Sequence, residues 1–265
     1  MKLLLWEHGT PGALGEEEKD KPVLVPYLVE GDDTSSAMVV CPGGGYSGRS
    51  RKEGAPIAEW LNTLGISALV VHYRVSPYLH PHPLSDAQRA IQLIRSNATK
   101  WNIDPERVGI LGFSAGGHVA ASAGTLFHDG DPDAVDPIAR QSCKPNLMVL
   151  CYPVITFTAP FAHSSSRDHL LGSEPDPALV EKLSLENAVT SFTPPAFIWH
   201  TGEDEKVPME NALMFAAALR RKKVPFELHV YESGRHGLCL AADHPEASSW
   251  TALCENWLRK QGFIK

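Results

Sequence analysis

Two hydrophobic periods alternate along this 265-residue chain. Short apolar runs at Val23–Val29, Met38–Cys41, Ser67–His72, Arg107–Gly112, Leu147–Tyr152, Ala196–His200 and Phe226–Tyr231 predict strands. Longer stretches with apolar residues on one face predict helices between them. Gly54–Leu64 places Ile57, Trp60, Leu61 and Leu64 on one side, and Asp86–Trp101 does so with Ala87, Ala90, Ile91 and Ile94. Ser114–Phe127, Met209–Lys222 and Pro245–Arg259 complete the helical set, and the chain before Val23 reads as irregular.

This alternation predicts the α/β class, a mostly parallel central sheet with helices on both faces. Several strands are continuously apolar, as strands buried on both faces must be. No repeat or composition break divides the chain, so residues 1–265 are expected to form a single domain. One connection, Pro153–Pro195, is far longer than a simple loop and is expected to form a small lid insertion over residues 153–195.

Ligands in such sheets bind at the carboxyl ends of the strands, so the loops there are where chemistry belongs. Gly112-Phe113-Ser114-Ala115-Gly116 fits G-x-S-x-G and lies between a predicted strand and a predicted helix. That turn is sharp enough to demand small residues on either side of the serine, and it projects the hydroxyl of Ser114 into the site. The helix N-terminus beneath it favours developing negative charge. The bare pattern also arises by chance in Gly-rich chains, and the strand–turn–helix context is what makes Ser114 a nucleophile candidate.

A hydroxyl attacking a carbonyl needs fixed N–H donors for the oxyanion. Ala115, next after the nucleophile, supplies one, and a glycine loop after an earlier strand supplies another. Pro42-Gly43-Gly44-Gly45-Tyr46 occupies that place. A phosphate loop would continue with Lys-Ser or Lys-Thr, whereas here Tyr46-Ser47 follows the glycines.

Twelve histidines compete for the general base. His236, in Ser233-Gly234-Arg235-His236-Gly237 after the last strand, has the position and the mobile setting. His200, His229 and His118 lie within or beside predicted strands and helices and read as packing residues. His80 and His82 have no further ligand at metal spacing, so no metal is expected. The orienting acid belongs after the preceding strand, in Gly202-Glu203-Asp204-Glu205-Lys206-Val207-Pro208. Asp204, next to the apolar Val207-Pro208, is the choice, with Glu203 and Glu205 as rivals. The order Ser114, Asp204, His236 is that of the α/β-hydrolases and not of trypsin or subtilisin.

Composition narrows the partners. A net charge of −7 with no basic block speaks against nucleic acid, and no apolar run of about 18 residues is present to span a membrane. Five cysteines, odd in number and without a CxxC pair, argue against a disulfide framework. Met1–Trp6 is apolar but meets Glu7 and His8 too early for a signal peptide, so a cytoplasmic location is expected.

These residues together resemble a family. The chain is similar to small bacterial α/β-hydrolases of the acetyl-xylan-esterase-like group, related to hormone-sensitive-lipase-type serine esterases. The similarity runs through Cys41-Pro42-Gly43-Gly44-Gly45-Tyr46, Glu53-Gly54, Tyr73-Arg74-Val75, Asp86–Ile91, Gly112–His118, His200-Thr201 to Val207-Pro208, and His236-Gly237. It implies an α/β-hydrolase fold, Ser114, Asp204 and His236 as a catalytic triad, and Gly44, Gly45 and Ala115 as the oxyanion hole. It departs from the hormone-sensitive-lipase pattern at Pro42, where that group carries histidine.

The expected activity is hydrolysis of short acyl esters, acetyl above all, on sugars or xylo-oligosaccharides. The partner is then a small-molecule ester, and no cofactor is implied. Tyr46 and Val207 are expected to line the substrate pocket. A peptidase on the same fold is the first alternative, but such enzymes carry a large extra domain. The second is a non-catalytic ligand-binding module, which commonly lacks one of the three residues. Glycosidase chemistry would need paired carboxylates that the sequence does not suggest. A lipase would want an apolar lid, whereas 153–195 carries Arg167, Asp168, Glu174, Asp176 and Glu181.

Overall fold

The computed structural model describes residues 2–31 and 33–265. Among these residues eight strands form one sheet: β1 (Leu3–Leu4), β2 (Val23–Tyr27), β3 (Ser35–Cys41), β4 (Ile66–His72), β5 (Ile103–Phe113), β6 (Met148–Cys151), β7 (Ala196–Thr201) and β8 (Phe226–Tyr231). Their order across the sheet is β1-β2-β4-β3-β5-β6-β7-β8. The β1–β2 and β2–β4 pairs are antiparallel and all others parallel.

Among the described residues, seven α-helices accompany the sheet: α1 (Ala55–Thr63), α2 (His82–Ser96), α3 (Ala115–Thr125), α4 (Ser164–Leu171), α5 (Pro177–Lys182), α6 (Glu210–Arg221) and α7 (Trp250–Lys260). Successive strand residues point to opposite faces, and the buried residues sort accordingly. Val39, Leu69, Ile110, Leu150 and Ile198 pack with apolar residues of α2, α3 and α6. Met38, Val40, Val70, Leu111, Val149 and Trp199 pack with α1 and α7 on the other side.

Most predicted elements are present, with shifted ends. α2 starts one turn before Asp86, because Pro83 suits a helix start and Asp86 is buried against Arg74, 2.8 Å away. β3 begins at Ser35, where Ser36 Oγ donates to the Phe263 carbonyl and so buries a polar residue at no net cost. The closing helix starts at Trp250, after a one-turn 3-10 segment at Ala247–Ser249.

The 153–195 segment carries α4 and α5. Val154, Ile155, Phe157, Leu170, Leu171, Leu183, Leu185 and Val189 anchor it in the main core. Its charged residues other than the buried Glu186 are partly or fully exposed, and α4 lies against the glycine loop after β3 through His169, whose Nδ1 is 3.0 Å from the Gly45 carbonyl.

Candidate active site

The turn between β5 and α3 holds Ser114 at φ 52°, ψ −121°. A non-glycine residue in that region costs about 1–3 kcal/mol and persists only where its surroundings enforce it. Here the Ser114 N–H donates to the Cys151 carbonyl, 3.0 Å, and its carbonyl accepts from Val154 N–H, 3.0 Å. A methyl group at Gly112 would collide with the Gly116 carbonyl, and one at Gly116 with the carbonyls of Cys41 and Pro42. The two glycines of G-x-S-x-G are therefore required by close backbone approach.

His236 Nε2 lies 2.8 Å from Ser114 Oγ. On its far side, His236 Nδ1 lies 2.6 Å from Asp204 Oδ2. The carboxylate accepts the Nδ1 proton, which leaves Nε2 free to accept the serine hydroxyl. The other oxygen of Asp204 accepts the backbone N–H groups of Lys206 and Val207, both at 3.0 Å. Burial alone would raise the Asp204 carboxyl, but hydrogen bonds from His200, His236 and the Val207 N–H outweigh it and hold the group well below the usual carboxylate range.

Both rival acids lie elsewhere. Glu203 accepts the Gly234 N–H at 3.2 Å, bracing the base of the histidine loop, and Glu205 is exposed.

The glycine loop after β3 is ordered by its own hydrogen bonds. Ser50 N–H donates to the Gly43 carbonyl at 2.8 Å, and Ser47 and Gly48 donate to that of Gly44 at 3.1 and 3.2 Å. Gly43 N–H is taken by Glu53 Oε2 at 2.8 Å. The N–H groups of Gly44, Gly45 and Ala115 have no acceptor among the described residues. Gly44 and Gly45 adopt φ values of 135° and 61°, open to glycine and strained for other residues.

Two expected pocket residues require correction. Tyr46 is 1% exposed, and its hydroxyl donates to His118 Nδ1 at 2.7 Å, so its ring packs beneath the loop instead of facing substrate. Val207 is fully buried and serves Asp204 through its N–H.

Sequence reasoning missed two contributors. His200, read as a packing residue, lies 3.3 Å from Asp204 Oδ2 and donates from Nε2 to the Val207 carbonyl at 2.9 Å. The His200…Asp204 spacing across a tight turn was a signal for it. Glu53 was present in the sequence, but no local pattern shows that its carboxylate points under the glycine loop.

A cleft of about 730 Å³ opens beside His236, lined by Gly202, Glu203, Asp204, Glu205, Lys206 and Arg235. Among the described residues, no group of three or more His, Cys, Asp or Glu is arranged to hold a metal ion.

The BD-FAE family model matches residues 27–219, most of the chain. The chain belongs to the BD-FAE family. Its fold is that of the α/β-hydrolases, shared with solved structures. An acetyl ester–xyloside bifunctional hydrolase from Caldicellulosiruptor lactoaceticus is 50% identical, with a TM-score of 0.97 over 100% of this chain and 97% of its own. The carboxylesterase Cest-2923 from Lactobacillus plantarum is 28% identical, with a TM-score of 0.77 over 92% of this chain and 94% of its own.

Two curated relatives extend the comparison. An endo-1,4-beta-xylanase B of Butyrivibrio fibrisolvens is 42% identical over 84% of this chain. An acetylxylan esterase of Xylanibacter ruminicola is 35% identical over 84% of it. The matched regions span 35% and 45% of those two relatives, so each is a longer protein of which this BD-FAE chain resembles one part.

Proposed function

We propose that this BD-FAE protein is a serine carboxylesterase that removes short acyl groups, acetyl above all, from sugars or xylo-oligosaccharides. The observation that carries the reading is the hydrogen-bonded series Ser114–His236–Asp204, with contacts of 2.8 and 2.6 Å, beside three unengaged N–H groups. His236 takes the Ser114 proton as Oγ attacks the ester carbonyl, and Asp204 holds the imidazole in the tautomer that can accept it. The tetrahedral oxyanion accepts from Gly44, Gly45 and Ala115. Collapse expels the sugar alcohol, which receives the proton from His236. Water, activated by the same imidazole, then attacks the acyl-enzyme and releases the acid and free Ser114. Each oxyanion donor of this kind contributes about 3–4 kcal/mol to the transition state.

The substrate class rests on the relatives named for acetylxylan and acetyl ester–xyloside hydrolysis. Glycoside hydrolysis is a weaker reading, because Asp204 and Glu53, the carboxylates built into the site, are both buried and already hydrogen-bonded.

We infer that residues 1–265 act as one domain, with 153–195 as a cover anchored in the core rather than a swinging lid. Five free cysteines fit a reducing cytoplasmic setting, and no helix among the described residues is long and apolar enough to cross a membrane.

A panel of 4-nitrophenyl acetate, longer acyl esters, acetylated xylo-oligosaccharides and an aryl xyloside tests the reading. Acetyl release with Ser114→Ala inactive is the expected result. An active Ser114→Ala variant, or a wild type inactive on every ester, overturns it.

A further inference from the structure

Glu53 is a buried carboxylate that the reaction above does not use. It ends a one-turn 3-10 helix, Arg51–Glu53, and is 4% exposed. Burial pushes its carboxyl up, against hydrogen bonds from Tyr152 and Gly43 that pull it down. Keeping such a group inside without an Arg or Lys partner is costly unless each oxygen is well satisfied. Both oxygens are: Oε2 accepts the Gly43 N–H at 2.8 Å, and Oε1 accepts the Tyr152 hydroxyl at 2.7 Å.

Tyr152 carries the connection onward. Its hydroxyl oxygen accepts the N–H of Cys239 at 3.1 Å, in the loop that bears His236. Its ring stands edge-on to the His236 imidazole, centroids 5.0 Å apart at 70°. Tyr152 follows β6 at φ 36°, a strained value for a bulky residue, and its N–H is held by the Trp199 carbonyl at 2.7 Å. A strained backbone that aims a side chain at a buried acid is a costly arrangement, and such arrangements concentrate at functional sites.

We propose that Glu53 and Tyr152 are positioning residues that tie the oxyanion loop to the histidine loop. The hydrogen bonds run Gly43 N–H to Glu53, Tyr152 O–H to Glu53, and Cys239 N–H to Tyr152. By accepting the Gly43 N–H, Glu53 fixes the Pro42–Gly43 peptide plane at the start of the loop and leaves the N–H groups of Gly44 and Gly45 as the outward donors. Through Tyr152, the same carboxylate limits how far the His236 loop can drift from Ser114. A carboxylate suits this place because it accepts two donors on two oxygens. Glutamine has one acceptor oxygen, so if that oxygen keeps the Gly43 N–H its NH2 can only donate to the Tyr152 hydroxyl, which reverses that bond and leaves the hydroxyl proton without its acceptor. The inference rests on the ester-hydrolase reading of the Ser114 site.

The test uses the full chain with Glu53→Gln, Tyr152→Phe and the double variant, assayed on 4-nitrophenyl acetate. A misplaced oxyanion loop weakens the transition state more than ground-state binding. The expected kcat falls about 10–100-fold in each single variant, with KM within about twofold. Residues acting in one relay are not additive, so the double variant is about as slow as the slower single one. Thermal melting reports folding separately, and Tyr152→Phe, which keeps the packed ring, decides the matter if Glu53→Gln does not fold. Folded variants with kcat within about twofold of wild type, or losses that multiply in the double variant, overturn the relay. An inactive wild type, or an active Ser114→Ala, overturns the esterase reading and this inference together. An active wild type, a dead Ser114→Ala and an intact Tyr152→Phe overturn the relay alone.

Discussion

His236 Nε2 stands 2.8 Å from Ser114 Oγ across 122 residues of chain. The serine follows β5 and the histidine follows β8, with β6 and β7 between them in the sheet. The loop after β8 therefore reaches back over the carboxyl ends of two strands. On its way it meets Asp204 from the end of β7 and Tyr152 from the end of β6. Each strand end supplies one part of the arrangement, which is why the parts are so far apart in sequence.

In the proposed mechanism the Ser114 proton passes to His236 across a 2.8 Å contact, so the two residues act as one unit. Ser114→Ala is expected to lower turnover of 4-nitrophenyl acetate by at least ~10³-fold, and His236→Ala by a similar factor. The double variant should be about as slow as either single one. Steady-state kinetics on all three checks this, and losses that multiply would mean the two residues act separately.

Asp204→Asn places an NH2 group where His236 Nδ1–H must donate. The imidazole is then driven to the other tautomer, with its proton facing Ser114 and no lone pair to accept the hydroxyl. Turnover should fall by about 10³–10⁴-fold. Glu203→Gln keeps an acceptor for Gly234 N–H, and Glu205 is exposed, so Glu203→Gln and Glu205→Gln should stay within about threefold of wild type. The reverse pattern in kcat would assign the acid elsewhere in the loop.

His118 is fully buried, and burial pushes it down to about 4. Its Nδ1 accepts from Tyr46 and its Nε2 donates to the Leu183 carbonyl, 2.9 Å away. The unfolded chain binds this proton near its ordinary value of about 6.5 while the folded protein does not, so folding is favoured above that pH. That stability is lost progressively as pH falls from about 6.5 to 4, amounting to about 3 kcal/mol from this one group. Urea unfolding of wild type and His118→Gln across that window should give a shallower pH slope for the variant. Equal slopes would show that His118 does not titrate differently on folding.

Gly116→Ala and Gly45→Ala, the same chemical change, are expected to differ sharply in cost. A methyl at Gly116 runs into backbone carbonyls of Cys41 and Pro42, which cannot move without displacing β3. A methyl at Gly45 meets only Ser166 Oγ at 3.9 Å, so its cost is the left-handed backbone alone, about 1–2 kcal/mol. Gly116→Ala should therefore lose several times more stability than Gly45→Ala, or fail to accumulate folded. Thermal melting of the purified proteins separates the two.

The strand and helix pattern was legible because burial on two faces leaves continuous apolar runs, as in Met148–Cys151 and Ala196–Thr201, each observed within one residue of its predicted bounds. Ser114 was legible for a different reason. Its turn forces small residues at fixed offsets, and steric demands of that kind are written locally. Element ends were less so: α2 begins at His82 because a buried Arg74–Asp86 pair, invisible in the spacing of apolar residues, places Asp86 inside the helix.

The roles of Tyr46 and Val207 were misread for a related reason. Both sit next to residues that face the site, but neighbours in a turn point in different directions. Tyr46 turns inward to His118, and Val207 offers its backbone, not its side chain.

By itself, the sequence determined the α/β class, the sharp turn at Ser114, the glycine loop and the placing of Ser114, Asp204 and His236 after successive strands, because each depends on local sterics or on hydrophobic period. Tertiary structure alone decided that Asp204 rather than Glu203 or Glu205 reaches His236, that Glu53 spends its charge under the glycine loop, and that 153–195 is anchored by its apolar residues. Those outcomes depend on which groups converge at the strand ends, and convergence is set by the distance between strands and the reach of loops rather than by any residue's own neighbours in the chain.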